Sequence, residues 1–191
     1  MRSLIEPAQD LLDEQLAKAR MGDRAALTVL IQAHQRSVYS LALRMLGTRE
    51  LAEDLTQDVF MQLNGNMKSI ESNKHLAFWL RKVTSHRAID QLRRRSALEM
   101  TSLDDATPLF STAEGEDPLL QRHLRALLST LSPPARAVLL LRYQEDLEPI
   151  DIARTLDMPI NTVKSHLKRS LGILRQNTPG AEPARYEGES T

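Results

Sequence analysis

The residues of this sequence that could carry out enzyme chemistry have the spacing of no catalytic or metal-binding motif. The chain has no cysteine, and its five histidines do not have the spacing of metal ligands: they are His34, His75, His86, His123 and His166. Its seven glycines form no phosphate-binding loop, and no nucleophile motif is present. We therefore expect no catalytic residue, no metal and no cofactor, and we expect the chain to act by binding.

The strongest chemical signal is a clustering of positive charge. Residues 77–95, AFWLRKVTSHRAIDQLRRR, contain six Arg or Lys and one Asp, although the whole chain has 25 basic and 25 acidic residues. Residues 160–176 hold four basic residues and no acidic one, whereas residues 98–121 hold six acidic residues and neither Lys nor Arg. Two basic segments with an acidic connector predict a polyanion that is held at two points.

The elements that position these segments are predicted to be helices. Ala, Leu, Gln, Arg and Glu dominate, and β-branched residues do not alternate with polar ones, which favours an all-α protein. In the N-terminal part, helices are predicted near 10–21, 24–46, 49–63 and 74–96. Their starts have potential capping residues, which are Asp23, Thr48 and Asn73.

The fold class is predicted as all-α, with two small helical bundles joined by a flexible linker. An N-terminal extension, 1–11, precedes the first domain, 12–97. An acidic flexible linker, 98–117, is rich in Ser, Thr, Asp and Glu and separates it from the second domain, 118–177. The last residues, 178–191, have the composition of a disordered tail.

The C-terminal domain has the spacing of a helix-turn-helix. Ser132 and Pro133 can begin a helix that runs to about Glu145, and a short helix follows at 149–156. The connection at 157–159 then leads into a third helix, for which Asn161 is the predicted cap, with small Ala153 allowing the two helices to cross closely.

The outward face of the third helix is predicted to contact DNA in the major groove. Its residues are donors to phosphates and base edges, namely Asn161, Thr162, Lys164, Ser165, His166, Lys168 and Arg169. The alternative is a solvated basic face on an ordinary helical hairpin.

A different surface is predicted on residues 49–63, RELAEDLTQDVFMQL. Leu51, Leu55, Val59 and Leu63 have helical spacing and face a core, whereas the opposite side is mainly acidic. An acidic face suits a protein partner that bears Arg or Lys better than it suits DNA. A merely solvated face is the alternative.

In their order and spacing, these segments resemble the bacterial RNA polymerase sigma factors of the extracytoplasmic-function (ECF) group of the sigma-70 family. The resemblance rests on RELAEDLTQDVFMQL, HLAFWLRKVTSHRAIDQLRRR, the acidic linker and LSPPARAVLLLRYQEDLEPIDIARTLDMPINTVKSHLKRSLGILR. It covers residues 12–176 and implies that the first domain is sigma region 2 and the second is sigma region 4.

The resemblance implies three binding surfaces. Core polymerase binding is expected at Glu50, Glu53, Asp54, Gln57, Asp58, Phe60 and Met61. Recognition and melting of the −10 promoter element is expected at Asn64, Asn66, Lys68, Lys74, Arg81, Lys82, Ser85, His86, Arg93 and Arg94. Recognition of the −35 element is expected at the third helix of the C-terminal domain, chiefly at Lys164, Ser165, Lys168 and Arg169.

The same resemblance implies the partners. They are core RNA polymerase, through its β′ clamp and β flap, promoter DNA, and an anti-sigma factor, with the chain a monomer when not bound. The longest apolar run, residues 137–141, is far shorter than the roughly 20 residues of a membrane helix. The N-terminus also has no signal peptide, so we expect a soluble cytoplasmic protein without membrane insertion.

Two positions depart from the family pattern. Arg81 follows the Trp79-Leu80 pair where many relatives have an aromatic residue, which removes one stacking surface for an opened strand. Asp157 stands where helix-turn-helix units often have Gly, and Asp tolerates the left-handed conformation better than most residues.

The basic helix at 74–96 has apolar residues on more than one side. Trp79 is predicted to lie in the core with Leu76, whereas Phe78, Ile89 and Leu92 fall on the opposite side of an ideal helix. That side requires either a second packing surface or a bend.

Two other classes of function stay open from the residues alone. One is a stand-alone, dimeric helix-turn-helix transcription regulator, with the N-terminal bundle as a dimerisation or sensor domain. The other is a protein-interaction module that sequesters a regulator through its acidic face. The regulator leaves the basic segment 77–95 and the acidic face of 49–63 without a role, and the interaction module gives the basic helices no part in function.

Overall fold

The structure, a computed structural model, describes residues 6–99 and 118–176, and its regular elements in these ranges are all helical. In chain order the α-helices are α1 Glu6–Arg20, α2 Arg24–Leu46, α3 Arg49–Asn66, α4 Asn73–Glu99, α5 Pro118–Ser129, α6 Pro133–Tyr143, α7 Pro149–Thr155 and α8 Ile160–Gln176. A short 3-10 turn, Met67–Ser69, follows α3. The predicted all-α fold is confirmed.

Several predicted boundaries differ from the observed ones, and α3, predicted to end near 63, continues to Asn66. Helix α1 begins at Glu6, inside the predicted extension 1–11, and α4 continues to Glu99, past the predicted domain end at 97. Helix α4 extends because Ala97, Leu98 and Glu99 are all good helix formers. The rest of the predicted linker and the tail 178–191 lie outside the described residues.

Helix α2 begins and ends as its sequence predicts. The Asp23 carboxylate accepts hydrogen bonds from the backbone N–H groups of Ala25 and Ala26, at 2.8 and 3.1 Å. Gly47 ends the helix with φ +83°, a left-handed conformation that glycine adopts without steric cost, and its N–H donates to Leu43 O. The turns at both ends of α2 are thus fixed locally.

The other predicted caps make no capping hydrogen bond through their side chains, and for two of them a neighbouring residue caps or begins the helix instead. Ser72, rather than Asn73, caps α4, since its Oγ accepts from the His75 N–H at 3.1 Å. Helix α8 begins at Ile160, which places Asn161 inside its first turn. Thr48 precedes α3, as predicted, but its side chain makes no capping hydrogen bond.

Helices α1–α4 form the N-terminal unit around an aliphatic core. Its largest fully buried side chains are Leu30, Leu41, Met45, Val59, Leu63, Ile70 and Leu76. Burying a side chain of this size contributes about 1.5–3 kcal/mol relative to leaving it exposed. This core holds α2 against α3 and α4, the two helices that carry the predicted acidic and basic surfaces.

Helices α5–α8 form the C-terminal unit, in which α6, α7 and α8 pack on one another, and its buried side chains join those of the N-terminal unit in one hydrophobic cluster. Leu128, Val138, Leu141, Ile152 and Val163 are all fully buried there. Helix α8 packs on α6 and α7, so that its inner side is fixed while its other side stays outside the core. The helix-turn-helix thus has a rigid base.

The two units also pack against each other. Helices α6 and α7 contact α4, and α5 and α6 contact α2. At the centre of this packing the guanidinium of Arg136, on α6, is buried and donates from Nη1 to the backbone oxygen of Met45, in the last turn of α2. The carbonyls at a helix C-terminus have no partner in their own helix, which makes them suitable acceptors for a buried cation.

Helix α4 therefore has two packing surfaces, which decides between the two possibilities left by its sequence. Leu76 and Leu80 are buried in the N-terminal core, and Trp79 packs against it, as predicted. Ile89, on the other side of the helix, is 6% exposed. Its spacing places it on the same face as Arg81, Lys82 and His86, which contact the C-terminal unit.

The stability of the first unit is expected to fall in mild acid because of His34. Its Nε2 lies 2.9 Å from Asn73 Oδ1, and burial lowers its pKa below the ordinary value of 6.5, with Arg81 adding to the effect and the Asn73 hydrogen bond opposing it. When the pH falls through the ordinary value, the unfolded chain binds a proton that the folded chain still excludes, so the free energy of unfolding decreases.

Urea unfolding at pH 8.0 and pH 5.5 tests this expectation. Between the two pH values the parent protein should lose more stability than the His34→Gln variant, in which the titrating group is replaced by an amide. An equal loss in both proteins would show that His34 is not the responsible group.

Candidate nucleic-acid and polymerase interfaces

Helix α8 presents its basic residues away from its packed side. Val163 and Ser170 are buried, and Leu167 and Leu171 pack against the core. The predicted contact residues divide into two groups: Asn161, Lys164, Lys168 and Arg169 are exposed, and Thr162, Ser165 and His166 are half-buried. Lys164 and Lys168 are one helical turn apart and lie on one face.

The charges of this face are available to an external anion. Within the described part of the chain, none of Lys164, Lys168 and Arg169 forms an ion pair with an acidic side chain. Burial and the charge of Arg169 lower the pKa of His166, so its imidazole is neutral at physiological pH and can exchange hydrogen bonds with a base edge. We call Lys164, Ser165, Lys168 and Arg169 the α8 basic face.

The turn that positions α8 depends on a strained aspartate. Asp157 has φ +50°, in the left-handed region, and the chain turns around it so that the Met158 N–H donates to Ala153 O at 3.0 Å. Ala153 is buried at the helix crossing, as its size predicts. The turn therefore forms without glycine, and its carboxylate is held at a fixed place beside α4.

The predicted −10 residues fall into two groups. Asn64, Asn66, Lys68, Lys74, Arg93 and Arg94 are exposed, whereas Arg81, Lys82, Ser85 and His86 lie where α4 meets the C-terminal unit. Ser85 is fully buried, so in this arrangement it has no surface for DNA. We call Arg81, Lys82 and His86 the α4 basic face.

The α4 basic face is occupied by oxygens of the C-terminal unit. Arg81 Nε lies 2.8 Å from Glu145 Oε2, and Lys82 Nζ lies 2.8 Å from Asp157 Oδ1. His86 Nε2 lies 3.1 Å from the backbone oxygen of Thr155 and 3.5 Å from Asp157 Oδ2. Each residue of this face thus has an intramolecular acceptor, which sequence reasoning did not predict.

The acidic face of α3 is exposed, as its helical pattern predicts. Five polar residues and one apolar residue form it: Glu50, Glu53, Asp54, Gln57, Asp58 and Met61. Met61 is 66% exposed, which provides one apolar contact among the carboxylates. Phe60, also predicted for this surface, is instead buried in the core, because it lies three positions before the buried Leu63 and on the same inner side of the helix.

Side chains from neighbouring helices extend this face, and the sequence pattern of α3 alone could not reveal them. Arg87, on α4, donates to Asp58 Oδ2 at 2.9 Å and to Gln62 Oε1 at 3.0 Å. On the other side, Tyr39 and Arg36 of α2 line a groove with Glu53 and Gln57. The acidic face is therefore bordered by cations on both sides.

In residues 6–99 and 118–176, no group of three or more acidic or histidine side chains could hold a metal ion. None of the helices in these ranges is both long and apolar enough to span a membrane.

Two known families match the chain in the order of its two units. The family described as Sigma-70 region 2 matches residues 30–98, and the family described as Sigma-70, region 4 matches residues 121–174. Together the two matches span well over half of the chain. The first covers most of α2 and all of α3 together with nearly all of α4, and the second covers most of α5 to α8.

Curated relatives are similar over most of the chain. ECF RNA polymerase sigma factor SigW of Bacillus subtilis is 26% identical over 180 residues, which cover 87% of this chain and 96% of SigW. ECF RNA polymerase sigma factor SigE of Mycolicibacterium smegmatis is 32% identical over 168 residues, which cover 81% of this chain and 63% of SigE.

Solved structures share the fold. The sigma factor RpoE from Bartonella quintana, in complex with the anti-sigma factor NepR, has a TM-score of 0.65 at 22% identity and covers 80% of this chain and 96% of its own. CnrH, in complex with the cytosolic domain of CnrY, has a TM-score of 0.63 at 17% identity. The match covers 86% of this chain and 96% of the CnrH chain. Since neither unit of this chain makes up 80% of its length, the likeness extends over both units.

The exposed carboxylates of α3 are expected to contribute little to stability. The Arg87–Asp58 pair is 41% and 60% exposed, and pairs of this kind contribute at most about 1 kcal/mol. The double variant Asp54→Ala with Asp58→Ala should therefore change the free energy of unfolding in urea by less than about 1 kcal/mol. Leu55→Ala on the same helix removes a buried side chain and should cost about 2–5 kcal/mol. Comparable losses in the two proteins would mean that the carboxylates are structural.

Proposed function

Since the chain belongs to the ECF group of the sigma-70 family, it directs promoter-specific transcription initiation, and we propose that it does so through three separate surfaces. The acidic face binds core RNA polymerase, α4 with the residues before it binds the −10 element, and the α8 basic face binds the −35 element. The observation that carries the proposal is the order along the chain: one exposed acidic helix and two basic helices lie in the two matched regions.

The polymerase surface is supported by charge and exposure. Asp54, Gln57 and Asp58 are exposed on one side of α3 beside Met61, so carboxylates surround a soft apolar contact. Such a surface is complementary to a helical partner rich in Arg and Lys, which we take to be the clamp of the β′ subunit. The C-terminal unit contacts the β flap in this proposal. Phe60 is buried and supports the face from within the core.

The −35 surface is supported by the helix-turn-helix geometry. An α-helix fits the major groove of DNA. There, Lys and Arg donate to phosphates and to guanine, and Ser and Thr contact phosphates and base edges. Lys164, Lys168 and Arg169 are exposed on a helix whose other side is fixed by packing, so their positions on the groove are set by the core.

The −10 surface is supported by the exposed residues on both sides of the loop after α3. Asn64, Asn66 and Lys68 precede α4, and Arg93 and Arg94 lie toward its end, all of them exposed. A protein that opens DNA without ATP can only do so by binding the separated strand or an extruded base better than it binds the duplex. The residues of this surface are the ones that would provide such differential binding.

We propose no chemistry for the chain itself, because the polymerase forms the phosphodiester bonds. In this proposal the protein acts in the cytoplasm, and it is monomeric when it is not bound to polymerase or to an anti-sigma factor. The structurally similar RpoE and CnrH are both in complexes, the first with an anti-sigma factor. An anti-sigma factor is therefore the regulatory partner we propose for this chain.

The division of labour predicts two variants with opposite defects. Lys168→Ala with Arg169→Ala should weaken binding of the polymerase holoenzyme to a duplex promoter and leave binding of the chain to core polymerase unchanged. If both side chains bind phosphates, the slope of log affinity against log salt should fall by about 0.9 for each phosphate that is no longer neutralised. Fluorescence anisotropy with labelled promoter DNA measures both quantities.

Asp54→Ala with Asp58→Ala should do the reverse, weakening association with core polymerase while the fold and the α8 basic face stay intact. Run-off transcription with purified core enzyme provides the common readout. A stand-alone helix-turn-helix regulator would bind its duplex in a gel shift without polymerase, and neither double variant would separate the two properties. That result would contradict the proposal.

A further inference from the structure

The C-terminal unit contacts part of one of the two proposed DNA surfaces, the α4 basic face. The residues that do so are acidic: Glu145 follows α6 and Asp157 follows α7, and their carboxylates lie 2.8 Å from Arg81 Nε and Lys82 Nζ. Anionic oxygens at this distance from these cations take the place that phosphate oxygens would take on a bound strand. Phosphates of a bound strand must therefore displace these carboxylates from Arg81 and Lys82, whose side chains are 29% and 37% exposed in the packed arrangement.

Glu145 is the more strongly bound of the two carboxylates. Its side chain is only 7% exposed, and besides Arg81 it accepts from the Ser37 hydroxyl of α2 at 3.3 Å. A carboxylate is buried at low cost only when donors surround it. The donors in the N-terminal unit exist for Glu145 only in the packed arrangement, so Glu145 favours that arrangement specifically.

Asp157 places a negative charge at a backbone position where glycine would be less strained than aspartate. With φ +50° the position suits glycine, which would form the same turn with less strain. An aspartate there provides the carboxylate that meets Lys82 and lies 3.5 Å from His86. The strained backbone of Asp157 thus lies at a contact between the two units. Strained backbone conformations cluster at functional sites, so this position suggests that the contact has a function.

Ser85 shows that the covered surface is not an ordinary apolar interface. It lies on the same side of α4 as Arg81 and His86, it is fully buried, and its hydroxyl has no hydrogen-bond partner. A buried hydroxyl without a partner opposes burial, because it regains hydrogen bonds when water or a ligand reaches it. Opening of the units satisfies Ser85, whereas the two carboxylates favour closure.

We propose that the packed arrangement is a closed, DNA-excluding state in which Glu145 and Asp157 act as an intramolecular substitute for promoter phosphates on the α4 basic face. The inference rests on the proposed function, since it assigns this face to the −10 strand. It adds that the chain limits its own DNA binding before any other protein acts. The apparent affinity for DNA is reduced in proportion to the fraction of molecules that are open.

Two double variants with equal charge changes test the closed state. Glu145→Gln with Asp157→Asn removes both carboxylates that contact α4. Glu148→Gln with Asp151→Asn is the matched control, because it removes two carboxylates of the same unit, 65% and 48% exposed, whose ion pairs among the described residues are with Arg142 and Arg154 of that unit. Both variants alter the net charge equally, so a non-specific attraction of DNA raises binding equally in both.

The distance between the units is the first readout. The chain has no cysteine, so Gln32→Cys on α2 and Gln176→Cys on α8 allow two dyes to be attached to these exposed sites. Energy transfer should be lower in the first double variant than in the control and the parent. Asp157→Gly, which keeps the turn and relieves its strain, should lower transfer in the same direction.

Binding of a labelled single-stranded −10 oligonucleotide to the free chain is the second readout. The affinity of Glu145→Gln with Asp157→Asn should exceed that of the control by about threefold or more, as expected if at least two thirds of the parent molecules are closed. Equal energy transfer in the two double variants would overturn the closed state, whatever the DNA affinity. If transfer falls but no protein supports run-off transcription with core enzyme, the proposed function fails instead.

Discussion

Helix α4 is packed on two sides, and this constraint governs the arrangement of the whole molecule. One side places Leu76 and Leu80 in the N-terminal core, and the other buries Ile89 and contacts α6 and α7. A helix with apolar residues on both sides cannot leave one of them in water without cost. The second side also carries Arg81, Lys82 and His86, so the same packing brings charged groups of the two units together.

The sequence predicted most of what depends on local chemistry. Helical periodicity located the helices, Asp23 and Gly47 set the ends of α2, and the pattern of α8 separated its packed side from its basic side. Order and spacing of the motifs indicated the family, which the matches to both sigma regions confirm. These properties depend on residues a few positions apart, which a single sequence records directly.

What the sequence did not predict depends on contacts between distant residues. The sequence does not show that Glu145 and Asp157 contact α4. Glu145 is 64 positions from Arg81 in the chain, and Asp157 is 75 positions from Lys82. Phe60 was expected on the acidic surface from the family resemblance, but it lies on the inner side of the helix and is buried. The sequence also did not show that Ser72, and not Asn73, caps α4. Ser and Asn are both good N-cap residues, so two adjacent candidates could not be told apart.

In the mechanism we propose, the acidic face of α3 stays exposed for the polymerase, whereas the α4 basic face stays paired with Glu145 and Asp157 until the units separate. Energy transfer between dyes on the two units, measured in a complete complex with core polymerase and promoter, tests this most directly. We expect transfer to fall when the free chain enters a transcribing promoter complex. Transfer equal to that of the free chain, in a complex that makes run-off transcript, would contradict the mechanism.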